Sequence, residues 1–173
     1  MWDAIWMRSV EWLAAAAPDP RACKRQWEVD PGPVLLEAGR RWNVLSTPEH
    51  LGLLALEVLW GDRTRTPGAT LLHRKVRRIG FFLPCDADDE WFGTGLRYAQ
   101  RGCWVAVPPP YRESGDLEWI IPPNGENNLY APEVLEAALR AATTAQTLWT
   151  IALEGQRLPS LPAPPDPTPK ALP

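Results

Sequence analysis

The chain has 173 residues, of which 45% are apolar and 23% charged, a composition typical of one folded domain rather than of a disordered chain. Lys and Arg number 18 against 21 Asp and Glu, so the net charge of −3 excludes recruitment of nucleic acid or anionic membrane by a positive field over the whole protein. No apolar run is long enough to span a bilayer, and Asp3 and Arg8 do not fit a signal peptide. We therefore expect a cytoplasmic protein without membrane contact.

Two helices are predicted at the start of the chain. Across residues 2–16, apolar side chains recur at the three- and four-residue spacing of an amphipathic helix: Trp2, Ile5, Trp6, Val10 and Leu13. Pro18 ends this helix. Asp19-Pro20 begins a second one that runs towards Trp27, because Asp is a good N-cap and Pro fits the first helical position. Residues 1–30 are thus predicted to form a helical preface.

Short strands and a longer helix are predicted next. Val34–Leu36 and Trp42–Leu45 are strand candidates because they are short apolar runs on either side of a glycine-arginine turn. Thr47-Pro48-Glu49 predicts a helix start, with Thr47 as the capping hydroxyl and Pro48 at the first helical position. Gly61-Asp62 predicts the end of that helix.

Four further strands are predicted in two pairs. Ala69–His73 and Arg78–Leu83 form the first pair, and Ile79, Phe81 and Leu83 of the second strand share one face. Cys103–Val107 and Leu117–Ile121 alternate in the same way, and we predict that they form a hairpin around the long proline-containing loop 108–116.

Ala131-Pro132-Glu133 predicts a last helix, which continues to about Leu153. The residues after it are rich in proline, so residues 158–173 are predicted to be a disordered tail. Together these elements predict an α/β (α+β) fold class for residues 31–157, a single domain with a mixed sheet flanked by helices.

An acidic cluster follows the Arg78–Leu83 strand. Asp86 and Asp88, with Asp89 and Glu90 beside them, could bind Mg²⁺ or Mn²⁺ for phosphoryl chemistry, since hard cations prefer several oxygen ligands. The alternative is an acidic helix start or turn with no chemical role. Cys23, Cys85 and Cys103 lack the paired spacing of a zinc site, so we predict no metal there.

A basic run without any acidic residue spans positions 63–78. We predict contacts to nucleic-acid phosphates from this run and from three further arginines, and the candidate residues are Arg40, Arg41, Arg74, Lys75, Arg77, Arg78 and Arg112. The alternative is a solvated loop and strand edge. Ten tryptophans could stack on bases, but we expect most of them to be core residues or partly buried platforms. We assign Trp42, Trp60, Trp104 and Trp119 to the core. Trp91 is the candidate for base stacking.

Three stretches of sequence point to a known family. They read GRRWNVLSTPEHLG at 39–52, RRIGFFLP at 77–84 and GCWVAVPPPYRESGDLEW at 102–119. The last is the most specific, because it places an apolar strand, a double proline, a Ser-Gly turn and a tryptophan in this order. On these stretches the sequence resembles the N-terminal domain family of bifunctional DNA primase/polymerases, in its short stand-alone bacterial form.

The resemblance implies a primase-polymerase fold around a nucleotide cleft. In active members of that family two acidic residues on one strand and a third on a later strand bind divalent metals, and a histidine on an intervening strand contacts the triphosphate. The corresponding segments here are Asn43–Thr47, Arg78–Gly80 and Leu96–Tyr98, and they contain neither a carboxylate nor a histidine.

We therefore expect a primase-polymerase-like domain that has lost catalysis and acts as a module for single-stranded nucleic acid or for regulation, with no cofactor. One alternative is an active DNA primase/polymerase that binds Mg²⁺ or Mn²⁺ through relocated carboxylates at Asp86 and Asp88. Another is a protein-interaction domain that docks a partner through its N-terminal helix or its Pro-rich tail.

Overall fold

The structure is a computed structural model that describes residues 2–62, 66–87, 90–91 and 93–155. Its elements in chain order are α1 (Trp2–Ala14), α2 (Pro20–Val29), β1 (Val34–Glu37), β2 (Asn43–Pro48), α3 (Glu49–Gly61), β3 (Thr70–His73), β4 (Arg78–Leu83), β5 (Arg97–Ala99), β6 (Trp104–Val107), β7 (Leu117–Ile121) and α4 (Pro132–Gly155).

In the described part of the chain the strands form two sheets. The larger has the order β5-β2-β4-β3-β7, and the smaller pairs β1 with β6. The predicted fold class, a sheet flanked by helices, is confirmed. Each strand pair is antiparallel, however, so the sheet is not mixed in direction.

The two predicted N-terminal helices are present as α1 and α2. Asp19 caps α2 as expected, because its side chain accepts a hydrogen bond of 3.0 Å from the Ala22 amide. Leu13, Cys23 and Trp27 are buried in one core with residues of β1, β6 and the larger sheet. Both helices therefore cover one face of that sheet.

Strand β4 shows how the two faces of the sheet divide the core. Ile79, Phe81 and Leu83 are fully buried and share a cluster with residues of α3 and α4, as their alternation predicts. Phe82 is also fully buried but belongs to the cluster on the α1–α2 side. The larger sheet thus lies between two helical layers.

The start of α3 differs from the prediction at Thr47. Strand β2 continues through Pro48, and α3 begins at Glu49 without a side-chain cap. Thr47 is fully buried in the strand, where it lies opposite Ile79, because its side chain points into the core and not towards the helix end. The predicted end of the helix at Gly61-Asp62 is confirmed.

The predicted hairpin of β6 and β7 is wrong. Strand β6 pairs with β1, from Val34 opposite Val107 to Glu37 opposite Trp104, whereas β7 pairs with β3. Residues 108–110 are buried prolines, which have no N–H group to continue a ladder beyond Val107. They lead the chain from one sheet to the other.

The tryptophan prediction is confirmed in part. Trp42 is fully buried, and the half-buried Trp119 lies with its ring centroid 5.4 Å from that of Phe82. Trp60 and Trp104, in contrast, are 50% and 53% exposed. Trp60 follows the buried Leu51 by two and a half helical turns and so faces solvent, and Trp104 lies at the end of the small sheet.

Helix α4 begins at Pro132, close to the predicted start, and extends to Gly155. It packs along α3, and the end of α3 lines a cleft together with the first turns of α4, so the two helices are antiparallel. The predicted tail, residues 158–173, lies outside the described residues. In the described part of the chain, no helix combines the length and hydrophobicity that crossing a membrane requires.

Candidate functional site

The three segments in which the resemblance places catalytic residues are neighbours in the structure. They lie on β5, β2 and β4, which are adjacent in the larger sheet. Ser46 of β2 lies directly opposite Arg97 on one side and opposite Gly80 on the other. Because cross-strand partners project to the same face, these positions form one row on the α1–α2 side.

Arg78 precedes Gly80 by two residues on β4, and its side chain contacts this row. Its Nε donates to Ser46 Oγ at 2.7 Å, and its Nη2 donates to the backbone oxygens of Ser46 and Gly95, each also at 2.7 Å. Three neutral acceptors thus fix the guanidinium without cancelling its charge. We call the group formed by Ser46, Arg78, Gly80 and Arg97 the basic floor.

The two arginines of the basic floor lie close enough to repel each other. Burial, and then repulsion from Arg97, lower the pKa of the Arg78 guanidinium below its ordinary value. Among the described residues, neither arginine forms an ion pair with a carboxylate. An anion bound between them would relieve their repulsion, so the floor is suited to a phosphate or carboxylate ligand.

Gly80 lies at the centre of the floor and is half-buried. A Cβ atom at this position would meet Val44 Cγ1 at 3.0 Å and the Leu71 carbonyl oxygen at 3.8 Å. Glycine inside a strand often marks a place where another backbone approaches closely. His73 of β3 lies opposite Arg78 and so stands beside the floor.

Most of the other predicted phosphate contacts lie elsewhere or are paired. Arg74 is bonded to Glu118, and Arg77 donates to Glu49 at 2.8 Å. Lys75 is exposed in the same β3–β4 turn.

Arg40 and Arg41 precede β2, so they lie at the opposite end of that strand from Arg78, and Arg40 is paired with Glu37. Arg112 is exposed and lines a small cleft of about 210 Å³ with Tyr111 and Trp119. The predicted contacts therefore form separate groups in the structure.

Asp86 is not at the basic floor. Asp86 follows the end of β4 that is far from Arg78. Burial, and then the charge of Asp86, raise the pKa of the neighbouring Cys85 thiol, while Arg101 and Arg41 act in the opposite direction. Asp88 lies outside the described residues. Within the described ranges, no three His, Cys, Asp or Glu residues cluster as a metal site would require. These ranges contain no acidic group where the resemblance places the metals.

Trp91 lies on the other side of the sheet from the basic floor. It is half-buried, packs against the α3–α4 core and has its ring centroid 6.0 Å from that of Tyr98. Tyr98 alternates with Arg97 along β5 and so points to the opposite face. Trp91 therefore cannot stack on a base that is held at the basic floor.

Two docking surfaces were predicted, the N-terminal helix and the Pro-rich tail. The structure describes the helix, and the tail lies outside the described residues. Helices α1 and α2 border a cleft of about 840 Å³ that is lined by Trp6, Val10, Trp27 and Tyr111, together with charged residues. This volume is within the range of small-molecule sites. Use of this surface by a partner stays a prediction.

Sequence reasoning missed the role of Arg97 and Ser46. Both were located only as positions where a family carboxylate is missing. Alternation along β2 could have placed Ser46 on a face, but β5 is too short for its alternation to place Arg97. No family model, curated protein or solved structure matches the chain.

Proposed function

We propose that the protein is a nucleic-acid-binding domain of the primase-polymerase type that lacks catalysis and holds the phosphates of a single strand on the basic floor. The observation that carries the proposal is the pair Arg78 and Arg97, which lie together on one sheet face and form no ion pair with a carboxylate of the described residues.

The position of the floor supports the resemblance. Three segments chosen from sequence, widely separated along the chain, lie side by side on β2, β4 and β5. In an active enzyme this surface would need carboxylates to bind two metal ions. Here Ser46 and Arg97 occupy such positions, so a phosphate can be attracted but a metal-bound triphosphate cannot be activated.

A single strand suits the geometry better than a duplex. The floor is a short row of cross-strand neighbours on one sheet face, with two arginines to contact phosphates. Proteins that bind single strands commonly combine basic grooves that follow the backbone with aromatic platforms. The half-buried Trp119 lies on the same face, opposite Leu71, which is itself opposite Gly80.

The test is fluorescence anisotropy with a labelled single-stranded oligonucleotide at low and at physiological salt. We expect saturable binding that weakens with salt, and an affinity loss of about tenfold or more for Arg97→Glu, together with a salt slope reduced by roughly 0.7 for each lost phosphate contact. Arg101→Glu is the matched control, because it makes the same charge change at the opposite end of β5.

Equal losses for Arg97→Glu and Arg101→Glu would show that only net charge matters and would overturn the site. Retained binding after charge reversal of Arg74, Arg77 and Arg78 would do the same. The loss of catalysis is tested separately with a primed template, nucleoside triphosphates and Mn²⁺. We expect no extension; extension that Asp86→Asn and Asp88→Asn abolish would establish the enzymatic alternative.

A further inference from the structure

A small cleft beside β7 is lined by three aromatic side chains. It has a volume of about 210 Å³, and its aromatic residues are Trp6 of α1, Tyr111 and Trp119. Because liquid water occupies about 30 Å³ per molecule, this volume corresponds to roughly seven waters. The cleft therefore has the size of one flat ring system and not of a large ligand.

Hydrogen bonds hold the walls of this cleft in place. The indole Nε1 of Trp119 donates to the Pro108 carbonyl oxygen at 3.4 Å, so the polar group of this ring is already satisfied. On α1, Ser9 Oγ donates to the Pro123 carbonyl oxygen at 2.6 Å. This bond ties the helix that carries Trp6 to the chain that follows β7.

The loop that carries Tyr111 is constrained at both ends. Residues 108–110 are buried prolines, and two backbone hydrogen bonds of 3.1 Å join Ser114 to Leu117. The Tyr111 side chain is 44% exposed, so it still has surface to bury against a ligand. Little ordering of the loop is needed when that happens, which favours binding.

Two charged side chains of the cleft are available to a ligand. Arg112 and Glu113 both line it, and neither forms an ion pair among the described residues. A further lining residue, Glu118, is already bonded to Arg74. The cleft thus offers one guanidinium and one carboxylate together with its aromatic rings.

We propose that this cleft binds a guanine base of a nucleic-acid strand. Guanine presents two adjacent donors, N1–H and the N2 amino group, to a carboxylate, and two acceptors, O6 and N7, to a guanidinium. Glu113 and Arg112 supply those two partners. Trp119 and Tyr111 supply surfaces for stacking. Adenine lacks the N1–H donor and the pyrimidines have no pair of adjacent donors, so only guanine engages both charged side chains through paired hydrogen bonds.

The inference rests on the proposed function for its ligand, and it adds a base contact to the phosphate contacts. Trp119 lies in the same cross-strand row as Gly80 and Ser46 of the basic floor. Three strand spacings of about 4.8 Å separate β7 from β2, so the two sites are about 14 Å apart. One short single strand can therefore be held by its phosphates at the floor and by a base at the cleft.

Fluorescence anisotropy tests the cleft with thymine oligonucleotides that carry one guanine, one adenine or one abasic site at the same position. We expect the guanine strand to bind about tenfold more tightly than the adenine strand, the effect of one bidentate base contact. Glu113→Gln should remove this preference, because an amide has a single oxygen acceptor for two donors. Asp116→Asn is the matched control, since it makes the same charge change in the same loop without lining the cleft.

Tyr111→Ala separates the base contact from the phosphate contacts. It should weaken binding of the guanine strand several-fold and leave the abasic strand unchanged, whereas Arg97→Glu should weaken both. Circular dichroism checks that each variant is folded. Strands that bind without a preference for guanine, or a preference that Asp116→Asn reduces as much as Glu113→Gln, overturn the cleft and leave the proposed function in place.

Deoxyguanosine, which has no phosphate, tests the cleft without the basic floor. In NMR spectra of the indole N–H groups it should shift the Trp119 signal in a saturable way, and deoxyadenosine should do so less. If no oligonucleotide binds, the proposed function fails. Equal shifts with the two nucleosides would then overturn the cleft too, and a larger shift with deoxyguanosine would overturn the strand and assign the cleft to a free guanine nucleoside.

Discussion

The two faces of the larger sheet differ in how completely the helices cover them. On the α3–α4 side, Ile79, Phe81 and Leu83 are completely covered. On the α1–α2 side, Phe82 is equally buried, but the row through Ser46 and Arg97 is only partly covered, and its arginines have no ion pair with a carboxylate of the described residues. The comparison teaches that one sheet can be completely covered on one face and leave one end of its other face partly exposed.

The largest expected effect is on the closed face. Phe81→Ala should lower the free energy of unfolding by about 3–5 kcal/mol, because it removes a fully buried ring and leaves a cavity. Urea denaturation followed by far-UV circular dichroism measures the change. Arg97→Ala on the open face is the contrast, with an expected change below about 0.5 kcal/mol. Similar losses for both would show that the open face is also structural.

Tyr130 gives the closed face a pH dependence. Burial raises the pKa of this phenol from 10.0 to about 12, although its 2.7 Å hydrogen bond with Thr70 acts in the opposite direction. The protonated form is thus favoured in the folded state. The stability it contributes, up to about 3 kcal/mol, is complete below pH 10 and is lost as the pH rises towards 12.

Unfolding titrations at pH 9 to 12 should therefore show a steeper loss for the natural chain than for Tyr130→Phe, because phenylalanine has no proton to release. Identical slopes would mean that the Tyr130 phenol is open to solvent and that the closed face is not sealed there.

Gly52 and Gly80 form a matched pair across the sheet. A Cβ atom on Gly52 would lie 2.6 Å from Thr47 Oγ1 and 2.9 Å from Ile79 Cβ, both buried on the closed face. Gly52→Ala should therefore cost about 1–3 kcal/mol despite the better helix propensity of alanine. Differential scanning calorimetry would show this as a lower Tm, and an unchanged Tm would mean that α3 can shift away from the sheet.

Gly80→Ala should have the smallest effect on stability. Its Cβ meets only a movable Val44 methyl group closely, and alanine restricts the unfolded chain more than glycine does, so the change should stay within about 1 kcal/mol. Oligonucleotide affinity should nevertheless fall, because the added methyl group stands on the basic floor. If Gly80→Ala is as destabilising as Gly52→Ala, the Val44 side chain cannot move aside to make room for the added methyl group.

Most elements could be predicted from local patterns, because the residues that specify them are near in sequence. The Asp19 cap, the alternation of Ile79 and Phe81, and the end of α3 are such cases. Strand pairing could not be predicted in the same way. The choice of β1 as the partner of β6 depends on contacts between distant segments, and β5 has only three residues, too few for a visible alternation.

The candidate site was predictable at Arg78 but not as a group. Its charge and its strand were visible in the sequence, whereas its bonds to Ser46 and Gly95 require the pairing of β2 with β4 and the turn before β5. Arg40 and Arg41 appeared close to the basic run because sequence patterns do not show which end of a strand a residue occupies. Exposure of Trp60 and Trp104 depends on how much of each element the fold covers.

The pairing of β1 with β6 has a consequence for the time course of folding. Val34 meets Val107 only after the chain between them, which includes most strands of the larger sheet, has been brought into place. Closing so long a segment is entropically slow, and folds dominated by such distant pairings reach the native state in milliseconds to seconds. We therefore expect the small sheet to close last, so that the α1–α2 face is the final part of the molecule to assemble.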